Sequence, residues 1–237
     1  PVSFSPRQLP LRDLDKPRGE AVHLWHLDFG QLSDPLGGDQ GSGMADPSVF
    51  QRNAVRRFYL RLLLGAYLGI PGKDLKITRR LKGRPELDSA QSKGQLNFSV
   101  ARSQNCYLVG ISSGATIGVD LEIAERRSGK PLSLAKRYFS EAETGALSRL
   151  EGDSLHRAFM HAWACKEAIV KASGLGIANQ LCRFSVEVDP DRPPAVLDML
   201  DDDPVAWRLA VVQPAPGAIA AGAVRQPELR LRGFSLE

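Results

Sequence analysis

The sequence predicts an α+β fold built as two similar halves, residues 1–115 and 116–237. Helical periodicity runs through two long segments, Val49 to Leu68 and Ser154 to Ala172. Each is followed by several short alternating or β-branched segments punctuated by Gly and Pro, the pattern of strands joined by turns. A long helix followed by strands, occurring twice, implies a duplicated unit, although no internal sequence repetition is detectable.

Taken in order, Ala21 to Leu27 alternates apolar and polar residues like a half-buried strand, with His23 and His26 on opposite faces. That placement argues against a paired metal role for the two histidines. Gly30 to Asp46 has no apolar periodicity and reads as a loop. Asp46 as N-cap and Pro47 in the first turn open the helix at Val49, and Gly69 and Pro71 stop it. Leu75–Thr78, Leu96–Val100, Cys106–Ile111 and Thr116–Ile123 read as strands, with a seam between halves near Ser113 to Thr116. Leu132–Tyr138 reads as a short helix, and Ser140-Glu141-Ala142-Glu143 is a capping box opening another. The second long helix starts after Asp153 and ends before Gly174 and Gly176. Strands follow at Arg183–Val188, Ala206–Val212, Ala218–Val224 and Glu228–Phe234.

With 237 residues, 43% hydrophobic and 24% charged, the chain has the composition of a globular protein, either one large domain or two of roughly 110 residues. Three cysteines, Cys106, Cys165 and Cys182, are odd in number and widely spaced, which indicates neither a disulfide framework nor a zinc site. Pro1 to Glu20 has no signal-peptide core, and no apolar run is long enough to span a bilayer; a cytoplasmic protein is the expectation. The net charge of +4 is concentrated in Arg52, Arg56, Arg57 and Arg61 on one helix and in Arg79, Arg80, Lys82 and Arg84 in one loop. Such clusters suit phosphate groups or an acidic protein, the alternative being simple solvated faces. With 7% aromatic residues and no nucleic-acid motif, nucleic acid is a poor candidate partner.

The chemistry concentrates in two segments. Gly118-Val119-Asp120-Leu121-Glu122 puts two carboxylates on one strand face, because residues i and i+2 point the same way. Trp163-Ala164-Cys165-Lys166-Glu167-Ala168 and Lys171 add a third carboxylate and two lysines on a helix. A few oxygen ligands, with room left for phosphate and water, are what magnesium requires. Lys171 lies one turn after Glu167, so it is either a phosphate contact or a plain surface ion pair. Trp163 reads as a core anchor, and Glu143 as a helix cap rather than a group in the metal cleft.

These two motifs, in this order and spacing, resemble the signature of 4'-phosphopantetheinyl transferases, and the length resembles the larger, surfactin-synthetase-activating type. Lys82-Gly83-Arg84-Pro85 is similar to the Gly-Lys-Pro loop of that family. Phe98-Ser99-Val100-Ala101-Arg102-Ser103 stands where the family has Phe-Asn-x-Ser-His-Ser, with Arg102 in place of the histidine. An arginine still binds phosphate but transfers no proton at neutral pH.

The resemblance implies a two-halved, pseudo-dimeric α+β fold with coenzyme A at the junction and magnesium on its pyrophosphate. It also implies a monomer that moves phosphopantetheine onto a serine of an apo carrier protein and releases adenosine 3',5'-bisphosphate. On this reading, the first half contributes coenzyme A and carrier contacts, and the second the metal and catalytic motifs. Asp120, Glu122 and Glu167 are the expected metal ligands. Glu167 is the expected base, and Lys171 is expected to assist the departing charge. Arg57, Arg84, Arg102, Lys166 and Lys171 are the expected phosphate contacts. Two other classes use the same residues: a magnesium-dependent phosphohydrolase, and a non-catalytic coenzyme A-binding module.

Overall fold

The computed structural model describes residues 2–12, 14–33, 35, 49–79, 85–123, 130–174 and 181–237. The expectations for most of the Gly30–Asp46 loop, Pro47 and the 80–84 basic loop, Arg84 included, lie outside them.

The first half runs β2 (Ala21–Asp28), α1 (Val49–Leu68), a hairpin of β3 (Ile77–Arg79) and β4 (Pro85–Leu87), the short α2 (Ser89–Ser92), then β5 (Asn97–Ser103) and β6 (Cys106–Ser112). The second half starts at β7 (Ile117–Ile123) and continues through α3 (Pro131–Tyr138), α4 (Glu141–Leu147) and α5 (Gly152–Ser173). A hairpin of β8 (Phe184–Val186) and β9 (Val196–Met199) follows, then β10 (Trp207–Val212) and β11 (Ala218–Arg225). In each half the first strand pairs antiparallel with the last, and the last with the one before it, giving β2-β6-β5 and β7-β11-β10. The same strand order around the same long helix and hairpin makes the duplication visible in topology.

Four layers result. Trp25, Leu27, Phe98, Val109 and Ile111 pack the first sheet against Tyr59, Leu63, Leu64 and Tyr67 of α1. Val22, Leu24 and Leu108 of the first sheet meet Ile117, Val119, Leu121, Ala220 and Val224 of the second in a core between the sheets. The outer face of the second sheet, with Ala221 and Ala223, packs on α5 through Ala158, Ala162, Ala164 and Ala168. Both faces of each sheet are therefore covered. For this reason β2 is buried throughout its centre and is not half-buried: His23 and His26, on opposite faces, are both inside.

One strand crosses the seam expected near Ser113 to Thr116. β12 (Arg230–Leu236), at the end of the second half, runs parallel to β2 in the first half's sheet and is flanked on its other side by β1 (Phe4–Arg7). Assigning 116–237 wholly to the second half is corrected for this strand. The reason is packing: Phe234 stacks on Trp25 with ring centroids 4.8 Å apart, joining the α1 core.

Candidate active site

The site forms where α5 crosses β7. On β7, Ile117, Val119 and Leu121 point into the core between the sheets, so Gly118, Asp120 and Glu122 face the other way, toward α5. Gly118 is required there. A Cβ at this position would lie 1.9 Å from the Ala168 carbonyl oxygen and 2.4 Å from the Ala172 nitrogen, so only glycine lets the α5 backbone come this close. Two residues along, that close approach brings the helix's side chains onto Asp120. α5 ends at Gly174, whose φ of +71° closes the last turn with its N–H donating to the Val170 carbonyl.

Lys171 Nζ donates to Asp120 Oδ1 at 2.6 Å and lies 3.9 Å from Glu167 Oε2, one turn earlier on α5. One ammonium thus stands between two carboxylates. Asp120 is almost wholly buried, and its Oδ2 is enclosed with no hydrogen-bond partner among the described residues. Burial raises the Asp120 carboxyl above its ordinary range, against the Lys171 charge and hydrogen bond that hold it down. Burial also pushes Glu167 up to about 7, the Asp120 charge adds to this, and Lys171 opposes it.

Among the described residues, no three His, Cys, Asp or Glu side chains form a metal cage of their own. Magnesium asks for less, using one or two carboxylates together with substrate phosphates and water. The hard oxygen donors of Asp120 and Glu167, with Asp120 Oδ2 left without a partner, fit that ion. Glu122 is half-buried two residues further along the same strand face. The site therefore brings together Asp120, Glu167 and Lys171, with Glu122 as their neighbour on β7.

Lys166 is a correction. Successive helical residues are rotated about 100° apart, so Lys166 leaves the phosphate side and points under α5. There it is fully buried, donating to Glu143 Oε1 and Oε2 at 2.8 and 2.7 Å and to the Phe184 carbonyl. A buried, fully paired ammonium is not a phosphate contact. Glu143 in turn is more than a cap: besides closing the capping box with Ser140, it accepts the Val186 N–H at 2.8 Å. Trp163 is structural as expected, packed with Tyr138, Phe139 and Phe159. Burial pushes the Cys165 thiol up to about 12, which leaves it inert.

The basic residues of the first half gather where β5 turns into β6. Arg102 donates to Asn53 Oδ1 at 3.0 Å, and Arg56 on α1 donates to the Gln104 carbonyl at 3.0 Å. Burial and then the charges of Arg102 and Arg52 lower Arg56 from the ordinary arginine range, with Tyr107 opposing. Arg57 is exposed on α1, and it is Arg56 whose charge couples to Arg102. Asn53 was missed, and only the fold could reveal it. The β5 edge reaches the site's strand directly, with the Val119 N–H donating to Ser99 Oγ at 3.1 Å. At this seam a cavity of about 340 Å³ opens, lined by Pro85, Glu86, Phe98 and Thr116 from one side and Ala172 and Ser173, beside Lys171, from the other. A larger cavity of about 600 Å³ lies along α1, lined by Leu62, Ala66 and Ile70; neither cavity is lined by Asp120, Glu122 or Glu167.

A duplicated α+β unit with acidic groups and a lysine at the strand–helix crossing beside its seam suits a cation together with an anionic ligand and fixes no one reaction. The comparisons narrow it. A family model described as the 4'-phosphopantetheinyl transferase superfamily matches residues 116–224. The chain is 32% identical over 215 residues to 4'-phosphopantetheinyl transferase HetI of Nostoc sp., covering 86% of this chain and 88% of HetI. It is 37% identical over 175 residues to a putative 4'-phosphopantetheinyl transferase of Synechocystis sp., covering 72% of this chain and 68% of that protein. To 4'-phosphopantetheinyl transferase Sfp of Bacillus subtilis it is 29% identical over 157 residues, 60% of this chain and 66% of Sfp. The chain belongs to the 4'-phosphopantetheinyl transferase superfamily.

Proposed function

We propose that this protein transfers the 4'-phosphopantetheine of coenzyme A to a serine of an apo carrier protein, giving adenosine 3',5'-bisphosphate as the second product. The observation that carries this reading is the buried Asp120–Lys171–Glu167 cluster, with Asp120 Oδ2 unpartnered, in a chain of this superfamily.

The serine oxygen attacks the β-phosphorus of the coenzyme A pyrophosphate, the bond from that phosphorus to the bridging oxygen breaks, and the nucleotide bisphosphate leaves. Glu167, on α5 one turn before Lys171, takes the serine proton directly or through water. Lys171 stabilises the charge gathering on the leaving phosphate. Asp120 and Glu167, with Glu122 beside them, are the residues that would hold magnesium, whose chemistry when bound is to neutralise the pyrophosphate oxygens. Arg102, steadied by Asn53, and Arg56 beside it supply a fixed positive field for the nucleotide phosphates, with Arg84 as a further contact. The two halves meet within one chain, which favours a monomer. Among the described residues no helix is long and apolar enough to cross a membrane.

The test is a panel of apo carrier proteins incubated with coenzyme A and magnesium and read by intact-protein mass spectrometry. A mass gain of one phosphopantetheine on a carrier is expected. Free phosphopantetheine with unmodified carriers would instead identify a phosphohydrolase, and no turnover of coenzyme A at all would identify a binding module.

A further inference from the structure

The underside of α5 presents Ala158, Ala162, Ala164, Cys165, Ala168 and Ala172 to its neighbours. Small, similar residues let a helix pack closely, but they constrain its rotation and axial position weakly, since one alanine fits where the next one did. Yet the site depends on that rotation, because Glu167 and Lys171 reach Asp120 from this helix alone. Phe159, Ile169 and Val170 are buried on the same helix, and to their packing a buried ion pair adds a directional contact at the residue beside Glu167. All three Lys166 N–H groups have acceptors: the two Glu143 oxygens and the Phe184 carbonyl. The ammonium also lies 4.3 Å from the Phe184 ring centroid and 5.2 Å from that of Phe139. Glu143 Oε1 accepts from Val186 N as well, and Oε2 from the Ser140 N–H and hydroxyl. One carboxylate thus ties the start of α4, the middle of α5 and β8 together at the residue adjacent to Glu167. Buried ion pairs contribute little net stability over apolar replacements, and their best-attested use is to select one register among several.

We infer that Lys166 and Glu143 are positioning residues, a buried pair that sets the rotation of α5 so that Glu167 and Lys171 meet Asp120. The inference rests on the transferase reading for its kinetic arm only. Two variants test it: the double variant Lys166→Met with Glu143→Gln, which removes both charges together, and Glu143→Asp, which keeps the charge but shortens its reach.

Each is compared with wild type by thermal melting, by carrier loading, and by manganese binding in the presence of coenzyme A followed by electron paramagnetic resonance. Manganese substitutes for magnesium and needs no group transfer. The expected result is a cooperative melt for the double variant, a fall in kcat of about 10²-fold with the coenzyme A KM nearly unchanged, and manganese affinity weaker by about tenfold. Glu143→Asp should lie between it and wild type on both measures. A folded double variant with wild-type kcat and manganese affinity would overturn the inference. If the double variant does not fold, Glu143→Asp decides: folded with both losses supports it, folded with neither overturns it, and unfolded overturns it too, because the pair is then needed for the fold itself. If wild type binds manganese but loads no carrier, the transferase reading fails, while the positioning role stands or falls on the manganese affinities alone.

Discussion

The interface of β2 with α1 and that of β7 with α5 occupy the same place in the duplicated topology and hold opposite chemistry. Between β2 and α1 the side chains are large and neutral. Trp25 Nε1 donates to Tyr67 Oη at 2.9 Å, which leaves the tyrosine hydroxyl to donate to His23 Nδ1 at 2.7 Å. Three side chains there join in one buried hydrogen-bonded chain, and Trp25 fills the space between strand and helix. Between β7 and α5 the strand offers Gly118 and a carboxylate; the helix comes down to backbone contact, and one oxygen remains unsatisfied. The same architecture stabilises in one half and stores unsatisfied charge in the other. The second arrangement is what a site for a cation and a polyanion looks like, and the first is what a core looks like.

Variants can break this contrast. The largest effect belongs to Asp120→Asn and Glu167→Gln, each expected to lower carrier loading by about 10²–10³-fold, a loss typical of removing one electrostatic contributor. Their denaturant midpoints should not fall, since each relieves a buried charge; a clear drop in stability would mean these carboxylates support the fold. Gly118→Ala comes next. Its methyl group has nowhere to go without moving α5, so a destabilisation of about 1–3 kcal/mol is expected, together with a loss of loading larger than the stability change explains. Tyr67→Phe should show the reverse pattern in the other half. Trp25 and His23 lose their partner at a cost of about 1–3 kcal/mol, and the kcat of the folded protein stays at its wild-type value.

The smallest effect is a dependence on pH. Burial, and then the Arg232 charge, lower His23 from 6.5 to about 4 in the folded protein, with Asp15 opposing. Between those values the unfolded chain binds the proton and the folded one does not. The stabilisation is therefore complete above about 6.5 and is lost progressively as pH falls toward 4. Glu167, pushed up to about 7, acts in the opposite sense over part of that window, so the comparison with His23→Gln isolates the histidine: the wild-type urea midpoint minus that of the variant should fall as pH falls from about 6.5 toward 4. An unchanged difference would place the acid sensitivity elsewhere.

Elements with local signals were readable in advance. The Val49–Leu68 helix and the Ser140 capping box appear as expected, because an N-cap, a stop glycine and a 3.6-residue period are properties of neighbouring residues. β1, β4 and β9 were missed, and β12 was assigned to the wrong half. A strand's partner is chosen by distant residues, and Phe4–Arg7 meets its partner only at the other end of the chain. The same limit explains the basic residues. Position along α1 does not say that Arg56, rather than Arg57, turns to Arg102, and adjacency to Glu167 made Lys166 look like part of the phosphate site.

By itself the sequence determined the family, the two-halved α+β class and the choice of Asp120, Glu167 and Lys171 as candidates, because residue type and short-range spacing carry that information. The tertiary structure alone decided that α5 lies against Gly118, that Asp120 Oδ2 has no partner, and that Lys166 is paired with Glu143 beneath the helix. The reason is physical: burial, close approach and charge pairing depend on groups brought together from distant parts of the chain, and packing alone sets which side chains of one helix face Asp120 and which lie beneath it.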